Sequence, residues 1–138
     1  MNNNVKKCSS HTLIQILVSY FFVVLIALSS SPLAKAATGN LAHVAAAATW
    51  ASSVENAGLP AAAAFDGNAS TRWSSAFSDP QVIAVDLGAV YPVNHMVLNW
   101  EAAYGKAYRI EVSTNGTTWN QVFSETNGNG GIDNIVFA

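Results

Sequence analysis

The chain has 138 residues, of which 51% are hydrophobic and 10% charged, with six Lys and Arg against eight Asp and Glu. A mildly acidic chain with no basic cluster argues against nucleic acid or anionic lipid as the main partner. One cysteine, Cys8, cannot build a disulfide scaffold, and it precedes the first apolar run.

Lys6 and Lys7 lead into the apolar run Leu13 to Leu28, which is followed by serines, Pro32 and the small-residue pattern Ala34-Lys35-Ala36. This predicts a secretory signal peptide over residues 1–36, cut after Ala36. The alternative is an uncleaved anchor, since the run is only slightly shorter than the ~18–20 residues that span a bilayer. Cleavage would leave residues 37–138, enough for one small domain with one core. Lys6, Lys7 and Lys35 would depart with the leader, leaving three cations against eight acids, a formal net charge of −5 and no cysteine. The product would be secreted, with no further membrane attachment.

Chain order then gives short elements. Residues 59–67, with Pro60 near the start and Gly67 past the end, predict one short turn of helix. From Gln81 onward the apolar pattern has period two. Ile83, Val85 and Leu87 share one face, and in Tyr108-Arg-Ile-Glu-Val-Ser113 the residues Tyr108, Ile110 and Val112 face inward while Arg109, Glu111 and Ser113 face out. Val93 to Trp100 is apolar on both faces, the pattern of a central strand covered by a second layer. Asn115-Gly116 sits between two β-type runs and predicts a hairpin, both residues tolerating the positive φ of a type I′ turn. Ile132 to Phe137 reads as a last strand after the Gly-rich loop 127–131. Several short strands separated by turn signals in about 100 residues predict an all-β fold, an antiparallel jelly-roll sandwich.

Two stretches carry chemistry. Asp66-Gly67-Asn68 with Thr71 offers a carboxylate, inward carbonyls and a hydroxyl, an oxygen set of the kind calcium takes, although the EF-hand Gly and Glu positions hold Thr71 and Phe77. The competing reading is an Asx turn that bonds only its own backbone. Asn99 to Tyr108 ends a strand at Trp100-Glu101 and places Tyr104, Gly105 and Lys106 in a loop. Aromatic faces beside carboxylates suit a sugar, whereas Trp100 also suits core packing and Tyr104 an ordinary loop. Glu55 lies in a separate loop and joins that surface only if the fold brings it there. Glu55 with Glu101 could pose as the carboxylate pair of a glycosidase, but a sandwich this small has little wall to exclude water. No nucleophile elbow, HExxH or phosphate loop is present. His43 and His95 read as isolated surface or strand histidines.

In order, Asn40-Leu-Ala, "ASSVENAG", "AFDGNASTRWSSAFSDPQ", "IAVDLGAVYPVNHMVLNWE" and "YRIEVSTNGTTWNQV" resemble the discoidin, or coagulation factor five/eight type C, domain. Within it they are most similar to carbohydrate-binding module family 32 of secreted bacterial glucanases and chitosanases, over residues 40–137. The resemblance implies a galactose-binding-like jelly roll of about eight strands with no catalysis of its own, an accessory module that binds polysaccharide and belongs with an enzyme domain in a longer parent protein. It implies a structural calcium held by the carbonyls of Ala63 and Asn68, the Asp66 carboxylate, and the carbonyl and hydroxyl of Thr71. It also implies a sugar site of Glu55, Arg72, Phe77, Glu101 and Tyr104, whose acids would pair with the amino groups of glucosamine units. The family continues beyond this point with closing strands, so the resemblance implies a domain incomplete at its C-terminus, lacking a charged calcium ligand and leaving a sheet edge unpaired. Val82 stands where an aromatic is common, residues 43–53 replace the usual opening strand, and His95 replaces a common Arg. A discoidin-type adhesion module that binds protein or phospholipid, and a non-functional fragment of a secreted hydrolase, are the competing readings.

Overall fold

The computed structural model describes residues 13–18, 21–25, 39–45 and 48–137, the first two stretches and Val44 by backbone alone. Lys6, Lys7, Cys8 and the expected cleavage site at Ala34 to Ala36 lie outside the described residues. Among the described residues eight strands follow in chain order: β1 Leu13–Val18, β2 Phe21–Leu25, β3 Thr49–Ala51, β4 Gln81–Asp86, β5 His95–Asn99, β6 Tyr108–Ser113, β7 Trp119–Glu125 and β8 Ile132–Val136. Among the described residues, helix includes one turn, α1 Leu41–Val44, and a 3-10 turn over Ala61–Ala64.

The strands form two layers. The larger sheet runs β3-β4-β1-β2-β6-β7, and the smaller pairs β5 with β8. Pairing is antiparallel except for β2, which runs parallel to β4 at Phe22↔Val82 and parallel to β6. β1 and β2 both lie between β4 and β6, because each of them pairs with both neighbours.

The inner faces meet in one core. Ile83 and Val85 of β4, Leu87 beyond it, Tyr108 and Ile110 of β6 face Leu98 of β5 and Ile135 of β8, with Phe65 and Phe137 completing the cluster. Ile83, Val85 and Ile110 have no exposed surface. Full burial of a side chain of that size stabilises by ~1.5–3 kcal/mol relative to exposure, so these three account for much of the hold between layers. The chain is an all-β sandwich.

Three local expectations change. Residues 93–100 do not form a strand covered on both faces: β5 alternates, with Leu98 buried and Val97 52% exposed, because β5 and β8 form an outer layer with one face to solvent. Ser113, expected to face out, is 1% exposed at the end of β6, where its hydroxyl accepts the Asn115 and Gly116 N–H groups of the hairpin loop at 3.3 and 3.1 Å. The hairpin at Asn115-Gly116 forms, but as a loop over residues 114–118 rather than a tight two-residue turn. The Asn115 side-chain oxygen accepts from the Thr117 and Thr118 amides, and Gly116 takes φ 71°.

Candidate functional site

The turn at Asp66 is built from the 3-10 helix that precedes it. Pro60 sets the start, its carbonyl accepting the Ala63 N–H at 3.0 Å, and the turn sends Phe65 into the core and Asp66 to the surface. Gly67 then adopts φ 75°, which only glycine takes without strain, and the His43 ring from α1 packs so closely that a Cβ there would lie 2.8 Å from its Nδ1. His43 is therefore not an isolated histidine, since its Nδ1 also lies 3.3 Å from the Phe65 carbonyl. Asp66 Oδ1 accepts the Asn68 N–H at 2.8 Å, and Oδ2 accepts the Thr71 hydroxyl at 2.7 Å. The Thr71 Oγ1 also lies 2.8 Å from the Asn68 carbonyl oxygen, and Asn68 Oδ1 accepts the Ser70 N–H. The Thr71 hydroxyl first, then the Asn68 amide, hold the Asp66 carboxyl below its usual range.

This bracket is an Asx turn in its hydrogen bonds and an oxygen cluster in its chemistry. Asp66 Oδ2, Thr71 Oγ1 and the Asn68 carbonyl crowd within 2.7–2.8 Å contacts. A carboxylate, a hydroxyl and a carbonyl so gathered fit a hard, oxygen-preferring cation. Ala63 sits one turn away, half-buried. Among the described residues there is no group of three His, Cys, Asp or Glu able to hold a metal, so a cation here would rely on neutral oxygens beside a single carboxylate.

The loop of Glu55 and the loop of Arg72 and Phe77 are held as one body. The Glu55 N–H donates to the Ser74 carbonyl at 2.7 Å, the Ser74 N–H to the Leu59 carbonyl at 3.4 Å, and the Trp73 indole N–H to the Ser53 carbonyl at 2.9 Å. Trp73 itself is half-buried against the core. Ser53 Oγ accepts the Ala76 N–H, and the hydroxyls of Ser52 and Ser53 both donate to Gln81 Oε1, at 2.6 and 2.5 Å. Gln81, only 5% exposed, passes its own amide hydrogens to Ser78. Glu55 thus shares a surface with residues 71–78, which the sequence alone left open. Glu55 and Arg72 are exposed, and Phe77 is 93% exposed.

Glu101 and Tyr104 belong to a second loop group. Directly after β5 stands Trp100, whose N–H donates to the Gly131 carbonyl at 2.7 Å and whose indole N–H donates to Asp133 Oδ2 at 2.6 Å. The Tyr108 hydroxyl donates to the same oxygen at 2.8 Å, and the two rings meet edge to face at 5.4 Å. Burial first, then the bond to Asp133 and its charge, push the Tyr108 phenol well above its ordinary value. Glu101 is exposed and accepts the Ala103 N–H at 3.1 Å. Tyr104 is half-buried, its ring pressed on Gly130 and capped by Lys106 Nζ 5.8 Å from the centroid. Sequence reasoning missed Gln81 and Asp133 as the groups that position these loops. The sequence offers little signal for either, since Gln81 opens β4 and Asp133 stands beside a second polar residue, Asn134, in β8.

Comparison with known proteins agrees with this architecture. The family model described as the NedA-like, galactose-binding domain of the F5/F8 type C class matches residues 63–138, and the chain belongs to that family. The solved structure of chitosan-binding module 1 from a chitosanase/glucanase of Paenibacillus sp. IK-5 is 48% identical, with a TM-score of 0.67 over 72% of this chain and 77% of the module. Module 2 of the same enzyme, solved in complex with chitotriose, is 47% identical, with a TM-score of 0.62 over 66% of this chain and 73% of the module. Among curated proteins, the polysaccharide lyase 8 family protein HylA of Enterococcus faecalis is 43% identical over 68 residues, 49% of this chain. The chain spans only 5% of HylA.

Proposed function

We propose that this chain is a non-catalytic carbohydrate-binding module that holds a polysaccharide of the β-glucan or chitosan class. The observation that carries the proposal is Phe77, 93% exposed on a loop locked through Ser53, Ser74 and Gln81 beside Glu55. An aromatic ring so exposed stabilises nothing in the fold, and the rigid loop beneath it offers its face at little entropic cost. Glu55 and Glu101 supply carboxylates for the ammonium groups of glucosamine units, Arg72 donates to hydroxyls, and Tyr104 adds a second aromatic edge. Similarity to modules that bind chitosan, at 47–48% identity, supports the amino-sugar choice.

Calcium belongs to the same proposal as a structural ion. Asp66, Asn68 and Thr71, with the Ala63 carbonyl, would hold it, and when bound it would brace the turn that carries Arg72. The chain's own hydrogen bonds already hold Asp66 and Thr71 in contact, so the ion adds rigidity rather than creating the turn. Export through a leader over residues 1–36 and service to an attached enzyme domain complete the reading, supported by the apolar run after Lys7 and by relatives that are parts of carbohydrate-active enzymes.

Retention of the purified chain on chitosan, β-glucan and galactan tests the proposal. Wild type should be held on at least one of the first two and Glu101→Ala should be held less; equal retention of both would sink it. A second reading, adhesion to a phospholipid surface, draws on the same exposed Phe77, since an apolar spike on a loop suits a membrane too. Sedimentation with neutral liposomes separates the two.

A further inference from the structure

We propose that Asn129 is a self-modifying position, whose side-chain amide closes on the Gly130 nitrogen and leaves aspartate or isoaspartate in the loop that seats Tyr104. Three Asn-Gly pairs occur in the chain, at Asn115-Gly116, Asn127-Gly128 and Asn129-Gly130. Glycine after asparagine favours ring closure, because no Cβ crowds the attacking nitrogen and the backbone turns freely. The fold treats the three pairs differently.

In the first pair both reacting groups are held. The Gly116 N–H donates to Ser113 Oγ at 3.1 Å, and Asn115 Oδ1 accepts the Ser113 hydroxyl at 3.2 Å and the Thr117 and Thr118 amides at 2.9 and 2.8 Å. In the second, the Gly128 N–H donates to the Lys106 carbonyl at 2.7 Å, and Gly128 is buried so tightly that a Cβ there would lie 2.6 Å from the Gly105 carbonyl oxygen. An amide bonded in this way reacts only when its loop opens. Asn129 is exposed, and among the described residues neither its side chain nor the Gly130 N–H has a hydrogen-bond partner.

Solvent base takes the Gly130 amide proton, the nitrogen bonds to Asn129 Cγ, and the Cγ–Nδ2 bond breaks with release of ammonia, giving a cyclic imide. Water opens the imide at Cγ to aspartate, or at the main-chain carbonyl to isoaspartate, which routes the backbone through Cβ and Cγ and so lengthens it by a carbon. No oxidant or reductant is consumed. The next two residues are placed with little slack. Gly130 and Gly131 take φ 74° and 79°, a Cβ on Gly130 would lie 2.8 Å from Tyr104 Cδ1, and the Gly131 carbonyl accepts the Trp100 N–H at 2.7 Å. An added backbone carbon at position 129 therefore disturbs both the seat of Tyr104 and the bond that holds Trp100.

The purified full chain, kept in mildly alkaline buffer and sampled over weeks, is tested by peptide mass mapping with enzymatic labelling of isoaspartate. Asn129 should convert roughly tenfold or more faster than Asn115 and Asn127 in the folded chain, and the three rates should approach one another in urea. Similar rates at all three in the folded chain, or faster conversion at Asn115 or Asn127, would overturn the proposal. Ser113→Ala, which frees the Gly116 N–H, should raise conversion at Asn115 severalfold; no rise would count against hydrogen bonding as the selector. The isoaspartate form, separated by its added negative charge, should exchange the Trp100 amide hydrogen severalfold faster than fresh protein, and unchanged exchange there would overturn the link to the Tyr104 loop.

Discussion

Asp133→Ala isolates the contact on which the second loop group rests. Asp133 Oδ2 accepts from both the Trp100 indole at 2.6 Å and the Tyr108 hydroxyl at 2.8 Å, and Tyr108 is 3% exposed. A hydrogen bond to a charged acceptor contributes ~1.5–3 kcal/mol, and removing the acceptor also charges the desolvation of donors that stay buried. Because both bonds share one oxygen they are not additive, so the loss should be about 3–4 kcal/mol rather than the full sum. Tyr108→Phe removes donor and bond together, leaves the Trp100 bond in place, and should cost only about 1 kcal/mol. Urea unfolding of the full chain followed by tryptophan fluorescence measures both. An Asp133→Ala chain within ~0.5 kcal/mol of wild type, the ordinary scatter of surface substitutions, or a Tyr108→Phe chain less stable than Asp133→Ala, would refute the assignment of Asp133 as the anchor.

Other expectations concern the first loop group and the turn. Gly67→Ala should lose about 1–2 kcal/mol, from the left-handed backbone and from contact with the His43 ring, and the His43→Ala background should restore part of it in the same unfolding assay. Phe77→Ala should leave the melting temperature unchanged while weakening binding to chitosan oligomers about tenfold, read by calorimetry. The Asp66 carboxyl is depressed in the folded state, so the stability it contributes is present above its unfolded pKa of about 3.9 and is lost as pH falls through the lower folded value. The stabilities of wild type and Asp66→Asn in acid titration should therefore differ by a constant amount above about pH 4 and converge as pH falls below it through the lower folded value. If the turn takes calcium, added calcium should raise the melting temperature of wild type and leave that of Asp66→Ala where it was.

The strands of the larger sheet were legible because one face is buried and the other is not. Ile83, Val85 and Leu87, or Tyr108 and Ile110, state their face directly by alternation. β5 misled for a compositional reason: Val97 is apolar, yet it lies on the solvent side of a two-stranded outer layer, and apolarity alone carries no information about what covers it. Ser113 was misplaced because its position is set by the hairpin loop, whose Asn115 and Gly116 amides its hydroxyl accepts, and not by the alternation of the strand. The turn at Asp66 was legible through Gly67 and Asn68, but the packing of His43 on Gly67 joins positions 24 residues apart in sequence. The same holds for Gln81, whose hydroxyl partners Ser52 and Ser53 bring the Glu55 loop to the Phe77 loop. Local chemistry was readable where the partners are neighbours in sequence, and unreadable where folding supplies them.

The assignment of these loops to an amino-sugar polymer is tested most directly by calorimetric titration of the full chain with chitotriose at low ionic strength, alongside Phe77→Ala and Glu101→Ala. Saturable binding by wild type is expected, weakening about tenfold in each variant and declining with added salt as the carboxylate–ammonium pairs are screened. No saturable heat from wild type, or equal affinity in all three chains, would contradict it.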